Sequence, residues 1–145
     1  MEVKEFKKED YIISTDPQKL QIGVIHQFLS NSYWAKDISL DVVKRSIGNS
    51  FCFGVYKNEK QIGFARLITD YATFAYLADV FILNEHRNHG LSKWLLQTII
   101  DLPEVKGLRS LLLKTKDAHG LYTQFGFNKP KYPERIMEYS PLKLK

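Results

Sequence analysis

The apolar positions of this chain fall first into a helical rhythm, then into strand-length runs, and last into a strand, a polar loop and a helix in succession. Residues 11–15 read as a short first strand. Asp16 and Pro17 then signal a helix start, with Asp as the N-cap and Pro at the first helical position. Leu20, Val24, Ile25, Phe28 and Leu29 continue as a stripe along one helical face. Residues 30–37 end that helix and carry two aromatic side chains, Tyr33 and Trp34. Ser39 predicts the cap of a second short helix through Ile47, stopped by Gly48 and Asn49.

Strand-length runs follow. Residues 51–56 and 61–69 form a predicted hairpin around residues 57–60, although the turn lacks the favoured Asn-Gly pair. A third strand spans 74–83. It leads through a polar loop into an amphipathic helix whose stripe is Leu91, Trp94, Leu95, Thr98 and Ile99. Residues 103–107 close that unit. Residues 109–115 have the near-continuous apolar run of a central strand covered on both faces. Asp117 is placed to cap a short helix through Gln124. Further strands are predicted from Phe125, Gly126 and Phe127 and over residues 137–139. Helices, a strand meander and one strand–helix–strand unit add up to a layered α/β or α+β domain with a mixed sheet, one domain over residues 1–145.

The loop at 83–92 carries the most chemistry. It offers unpartnered backbone N–H groups at a helix start, with Gly90 allowing close approach. Such an end binds phosphate, because first-turn N–H groups lack partners and the helix dipole is positive there.

Composition narrows the partners. At 44% hydrophobic and 26% charged residues, the chain reads as globular rather than disordered. No apolar run approaches the ~20 residues of a membrane span. The charged first ten positions exclude a secretory h-region. A lone cysteine excludes an internal disulfide framework, which fits the cytoplasm. The net charge of +5, from 21 basic and 16 acidic residues, suits an anionic ligand. Its charges are dispersed without a like-sign block, so a nucleic-acid partner is not expected.

With these residues in this order, the chain resembles the GNAT family, the GCN5-related N-acetyltransferases. Arg87-Asn88-His89-Gly90-Leu91-Ser92 is similar to the family's pyrophosphate loop, Arg/Gln-x-x-Gly-x-Gly/Ala. The strand at 79–83 precedes it as in the family. Leu121, Tyr122, Phe125, Gly126 and Phe127 resemble the late Leu-Tyr-x-x-x-Gly-Phe motif. The likeness covers nearly the whole chain. It departs at Ser92, small enough to keep the phosphate site, and at Asp117, near a place where many relatives carry a cofactor-contacting Asn.

The resemblance implies a GNAT-like acyl-CoA N-acyltransferase fold: a mixed, mostly antiparallel sheet with splayed central strands and helices on both faces. It also implies acetyl-CoA as acyl donor. Backbone N–H groups from Asn88, His89, Gly90, Leu91 and Ser92 would cradle the pyrophosphate, and Arg87 would add a fixed positive charge. Val80, Phe81 and Ile82 would supply backbone groups to the pantetheine arm, one of them polarising the thioester carbonyl. The acceptor is expected to be a primary amine on a small molecule or peptide, acetylated directly in a ternary complex. The same fold could instead serve as a non-catalytic acyl-CoA sensor. Monomer and homodimer both stay open.

Acetyl transfer needs an uncharged amine, a polarised thioester and an acid for the leaving thiolate. Tyr122 is the expected acid by its place in the family motif, since a tyrosine's ordinary pKa near 10 lies close to that of a thiol. The alternative is an aromatic filling a groove. Asp79 could relay a proton from the amine, or could equally fix strand and loop geometry. Tyr33, Trp34, Arg66 and Tyr76 are candidates for the acceptor pocket, although the aromatic pair could simply anchor its loop. His86 and His89 have a ligand-like spacing but no third partner nearby, so no metal is expected. Cys52, in an apolar strand, reads as a buried structural thiol.

Overall fold

The computed structural model describes residues 2–142. Backbone pairing builds a six-stranded sheet in the order β1 (Glu5–Lys8), β2 (Tyr11–Ser14), β3 (Phe51–Lys57), β4 (Lys60–Thr69), β5 (Phe74–Ile82) and β6 (Ser110–Leu113). Each neighbouring pair is antiparallel except β5 and β6, which run parallel. This is the mixed, mostly antiparallel sheet that the resemblance implies. Five helices accompany it among the described residues: α1 (Ile22–Ser30), α2 (Leu40–Gly48), α3 (Leu91–Ile100), α4 (Pro103–Lys106) and α5 (His119–Thr123). The chain divides into two compact units, Met1–Lys114 and Thr115–Lys145.

The first unit holds the whole sheet. Side chains alternate across a strand, so each face collects one parity. Cys52 and Phe64 share a face with Ile25 and Leu29 of α1 and Val43 of α2, and Phe81 joins them. Phe53, Val55, Ala65, Leu67, Ala75 and Leu77 are buried on the opposite face. There α3, which packs against β5, contributes Leu91, Leu95, Leu96 and Ile99.

Local chemistry explains most boundaries. Ser39 caps α2 as expected, its hydroxyl accepting from the Val42 N–H at 3.3 Å. Asp16 does accept from Gln18 N–H at 3.0 Å, but it caps only a 3₁₀ turn, Pro17–Lys19. The predicted long first helix is interrupted there and resumes at Ile22. The cause is Gln61, only 1% exposed. Its side-chain oxygen accepts the Gln21 N–H at 2.7 Å, while the Gln61 N–H donates to the Gln21 side-chain oxygen at 3.0 Å. The β3–β4 turn works without glycine because Asn58 and Glu59 both adopt left-handed φ, 50° and 66°, as a tight I′ hairpin requires. Asp70 shapes the β4–β5 turn. The Thr73 hydroxyl, then the N–H groups of Thr73, Ala72 and Phe74, hold its carboxyl well below the usual range.

Several expectations are corrected. β1 was not anticipated, because its charged sequence hides an edge strand that pairs with β2. β6 lies at the edge of the sheet rather than centrally, and its residues are half-buried. In the second unit Asp117 does not cap the late helix. The Thr115 hydroxyl accepts the Ala118 N–H at 3.0 Å, and α5 begins two residues later than Asp117. Residues 125–127 and 137–139 form no strand. Gly126, at φ 90°, turns the chain within the first segment, a 3₁₀ turn occupies Pro133–Arg135 ahead of the second, and Met137 and Tyr139 are exposed.

Two outcomes test this packing. A Cβ on Gly63 would meet the Phe81 carbonyl at 3.0 Å and Ile82 Cδ1 at 2.6 Å. Gly63→Ala should therefore lower stability by about 1–3 kcal/mol in urea unfolding; an unchanged midpoint would contradict the close β4–β5 approach. Cys52 is 5% exposed, and burial pushes its thiol up to about 12. The native protein at about pH 8 should resist a thiol-titrating reagent that labels it once unfolded. Prompt labelling of the native chain would place the thiol at the surface.

Candidate active site

β5 keeps both neighbours only over its first half. Its pairing with β6 covers Phe74 to Leu77 opposite Ser110 to Leu113, whereas its pairing with β4 continues to Ile82. From Ala78 onward the strand has an open edge among the described residues. Within that stretch the β4 register jumps: Arg66 faces Ala78, yet Phe64 faces Phe81. Asp79 and Val80 together oppose Ala65, a β-bulge with one extra residue on β5. Asp79 sits in it at φ 57°, a left-handed conformation that Asp tolerates better than most residues.

The bulge decides which backbone groups face outward. Leu83 N–H donates to the Ile62 carbonyl at 2.8 Å, so Leu83 is turned to β4. Successive residues of a strand turn their N–H and C=O groups to opposite edges. Ile82 therefore faces the open edge, Phe81 faces β4 and Val80 faces the open edge again. Two contacts agree: the Phe81 carbonyl points at Gly63, and the Ile82 carbonyl accepts from Arg87 Nε at 3.1 Å. Of the three residues expected to offer backbone groups, Val80 is the one whose groups are both outward and unclaimed among the described residues.

The loop beyond β5 makes a 3₁₀ turn over Asn84–His86 and then runs extended at Arg87. Asn88 and Gly90 take left-handed φ of 68° and 72°. Gly90 is the N-cap of α3 and has no side chain to cap it. A Cβ there would meet nothing within 4 Å, so the helix start opens to solvent and glycine serves the backbone conformation. The Gly90 carbonyl accepts the Trp94 N–H at 3.0 Å, which leaves the N–H groups of Leu91, Ser92 and Lys93 without intrahelical partners. Leu91 is buried, Ser92 half-buried, and Arg87, Asn88, His89 and Gly90 exposed. The residues named from the sequence for this loop therefore sit at an uncapped helix start, with Arg87 tied back to the end of β5. These groups suit a phosphorylated ligand.

A second cluster lies on the α1–α2 face. Asp79 Oδ2 accepts from Arg66 Nε at 2.6 Å, and Oδ1 accepts from Trp34 Nε1 at 2.8 Å. The ion pair is largely buried, with side-chain exposures of 16% and 9%. The Arg66 guanidinium also donates to Ser50 Oγ at 3.1 Å, which itself donates to the Ser46 carbonyl at the end of α2 at 2.6 Å. Trp34 meets Tyr33 edge-on at 5.2 Å and Phe28 at 6.1 Å; Phe28 in turn stacks on Phe81 at 4.0 Å. Tyr33 and Trp34 both stay exposed, at 55% and 41%. Tyr76 pairs with Ile68 on β4, hence on the same sheet face as Arg66. Tyr33, Trp34, Arg66 and Asp79 are therefore brought together, and Tyr76 shares their face. Ser50 and Phe28 were not singled out from the sequence. Phe28 lay in a helical stripe that read as core, and nothing in the sequence marks Ser50.

In the second unit, Tyr122 lies on α5. Gly126, at φ 90°, ends that helix. The Phe127 N–H returns to the Tyr122 carbonyl at 3.3 Å, and the two rings meet edge-on at 5.8 Å. The Tyr-x-x-x-Gly-Phe spacing thus builds a helix stop that sets the Tyr122 ring against Phe127. Among the described residues no group of three or more His, Cys, Asp or Glu is gathered to hold a metal, and no helix is long and apolar enough to cross a membrane.

Comparison with known proteins identifies the family and the fold. The family described as acetyltransferase (GNAT) matches residues 21–127. A candidate acetyltransferase of Gibberella zeae is 35% identical over 134 residues, covering 78% of this chain and 76% of the relative. The crystal structure of a candidate GNAT-family acetyltransferase from Xanthomonas campestris pv. campestris superposes with a TM-score of 0.87 at 50% identity, covering 90% of this chain and 94% of that one. A GNAT family acetyltransferase from Elizabethkingia anophelis with acetyl-CoA bound shares the fold at a TM-score of 0.64 and 16% identity, covering 90% and 88% of the two chains. With the bulged strand, the open edge and the uncapped helix start in place, the chain belongs to the acetyltransferase (GNAT) family.

Proposed function

We propose that this chain transfers an acetyl group from acetyl-CoA to a primary amine of a small molecule or peptide, directly, in a ternary complex. The observation that carries this reading is a continuity within one strand. β5 parts from β6 after Leu77, presents Val80 at an open edge, and runs into the uncapped start of α3. A ligand with an extended amide-bearing arm and a diphosphate matches both features at once. The acetyl-CoA-bound relative from Elizabethkingia anophelis supports the choice of donor.

Each residue then has a task. The N–H groups around Gly90, Leu91 and Ser92 hold the diphosphate, and the Arg87 guanidinium adds charge while its Nε steadies the loop. The outward N–H of Val80 polarises the thioester carbonyl, where negative charge builds as the amine attacks. Tyr122, on the warrant of the family motif, gives its proton to the departing thiolate. The exposed Tyr33–Trp34 pair and Tyr76 line the acceptor side.

Calorimetry with acetyl-CoA tests the donor site. The wild-type chain should bind, and Gly90→Asp, which sets a carboxylate against the diphosphate, should weaken binding by about tenfold or more. Absence of heat from the folded wild type would end the proposal. Thiol release in the presence of an amine panel tests the transfer. Tyr122→Phe should lower kcat by about 100-fold while leaving the acetyl-CoA Kd unchanged. Tight binding with no turnover on any amine would instead support an acyl-CoA sensor.

A further inference from the structure

We propose that Asp79 is a positioning residue: its carboxylate clasps the loop between α1 and α2 to the bulge of β5, so that one side chain sets the acceptor side and the acyl side together. The inference rests on the functional reading above and names a task that reading leaves open.

The geometry makes the clasp specific. Were β5 unbroken, Asp79 would share a face with Ala75 and Leu77, which are 0% and 3% exposed. A carboxylate there would be buried among apolar groups without a partner, at high cost. The extra residue turns it to the opposite face, beside Arg66. One oxygen then meets Arg66 Nε and the other meets Trp34 Nε1. Arg66 carries the connection on through Ser50 to the end of α2. Other polar ties of residues 31–39 run to the flanking helices: His26 Nε2 with the Ile38 carbonyl at 3.0 Å, the Asp37 N–H to the Ser30 carbonyl at 2.9 Å, and the Val42 N–H to the Ser39 hydroxyl at 3.3 Å. The Trp34 N–H bond links the exposed aromatic pair to the bulge of β5.

This placement also bears on proton transfer. Both Asp79 oxygens already accept charged or polar N–H groups, and Arg66 neutralises the carboxylate. Those are the partners of a structural anchor.

Three variants separate the roles. Trp34→Phe keeps the ring contacts and removes the N–H. It should raise the acceptor KM by about tenfold or more while leaving the acetyl-CoA Kd unchanged. Asp79→Asn tolerates the left-handed backbone and still accepts from Trp34. Its kcat/KM should fall while the acidic limb of the pH profile keeps its midpoint. Loss of that limb would make Asp79 the base and overturn the proposal, as would a wild-type KM in Trp34→Phe. Asp79→Gly preserves the bulge conformation and supplies a readout independent of turnover. Hydrogen exchange of the Trp34 indole N–H, slow in the wild type, should become fast, with melting confirming that the variant is folded. Unchanged exchange overturns the clasp whatever the chain catalyses. If instead the wild type fails to bind acetyl-CoA while exchange behaves as expected, the clasp stands and the acetyltransfer reading falls.

Discussion

One extra residue in β5 governs the rest of this molecule. Ala75, Leu77 and Phe81 have the same parity, so an uninterrupted strand would send all three to one face. Their partners on β4 disagree: Leu77 opposes Leu67, while Phe81 opposes Phe64 on the other face. The bulge at Asp79 reconciles them. It leaves Ala75 and Leu77 on the α3 side and delivers Phe81 to Phe28, Phe64 and α1, where it stacks at 4.0 Å. A slip that removed the bulge would drive Phe81 out of one core and a carboxylate into the other. Both penalties act in the same direction, which explains why a left-handed Asp is tolerated in mid-strand.

The same irregularity creates the open edge. A strand that has twisted away at Asp79 cannot follow β6, and the parallel pairing ends at Leu77. An unpaired edge inside a sheet is normally a liability. Here it is short, lies next to the start of α3, and is partly closed by Arg87 on the Ile82 carbonyl. Val80 is left to offer a donor and an acceptor together. Sheet edge and helix start follow one another directly in the chain, because Ile82 is separated from α3 only by the loop that Gly90 terminates.

Much of this was legible from residue order. Ser39 announced its helix because its hydroxyl bonds locally, within the same turn. The strand, polar loop and helix around Gly90 were visible for a similar reason, since apolar periodicity and a glycine are local signals. What stayed hidden depends on distant partners. The bulge could not be seen, because parity alone does not say which face of β4 each residue meets. The break before α1 comes from Gln61, forty positions beyond Gln21. β1 exists because β2 offers it an edge, although Glu5, Lys7 and Lys8 carry no strand pattern. An apolar run put β6 in the middle of the sheet; yet such a run reports how hydrophobic a strand is, not how many neighbours it has. Of the candidate site, the helix start after Gly90 was legible. The joining of Trp34, Arg66 and Asp79 was not, because the three lie on separate elements and meet only when the bulge turns the carboxylate toward them.

That meeting has a consequence for the proposed chemistry. An amine attacks a thioester only in its neutral form. A bare carboxylate near the acceptor would favour the ammonium ion and hold the nucleophile in its inert state. Arg66, at 2.6 Å from Asp79, offsets that charge, so the clasp adds polarity and position without adding a net negative field. Replacing the pair by apolar residues would lose the tether to Trp34, while removing Arg66 alone would leave a buried negative charge that destabilises the fold and favours the ammonium form of an amine. The arrangement therefore serves two requirements with one pair. It holds the bulge that carries Val80, and in the proposed reaction it would keep the acceptor side close to electrically neutral, where a free amine persists.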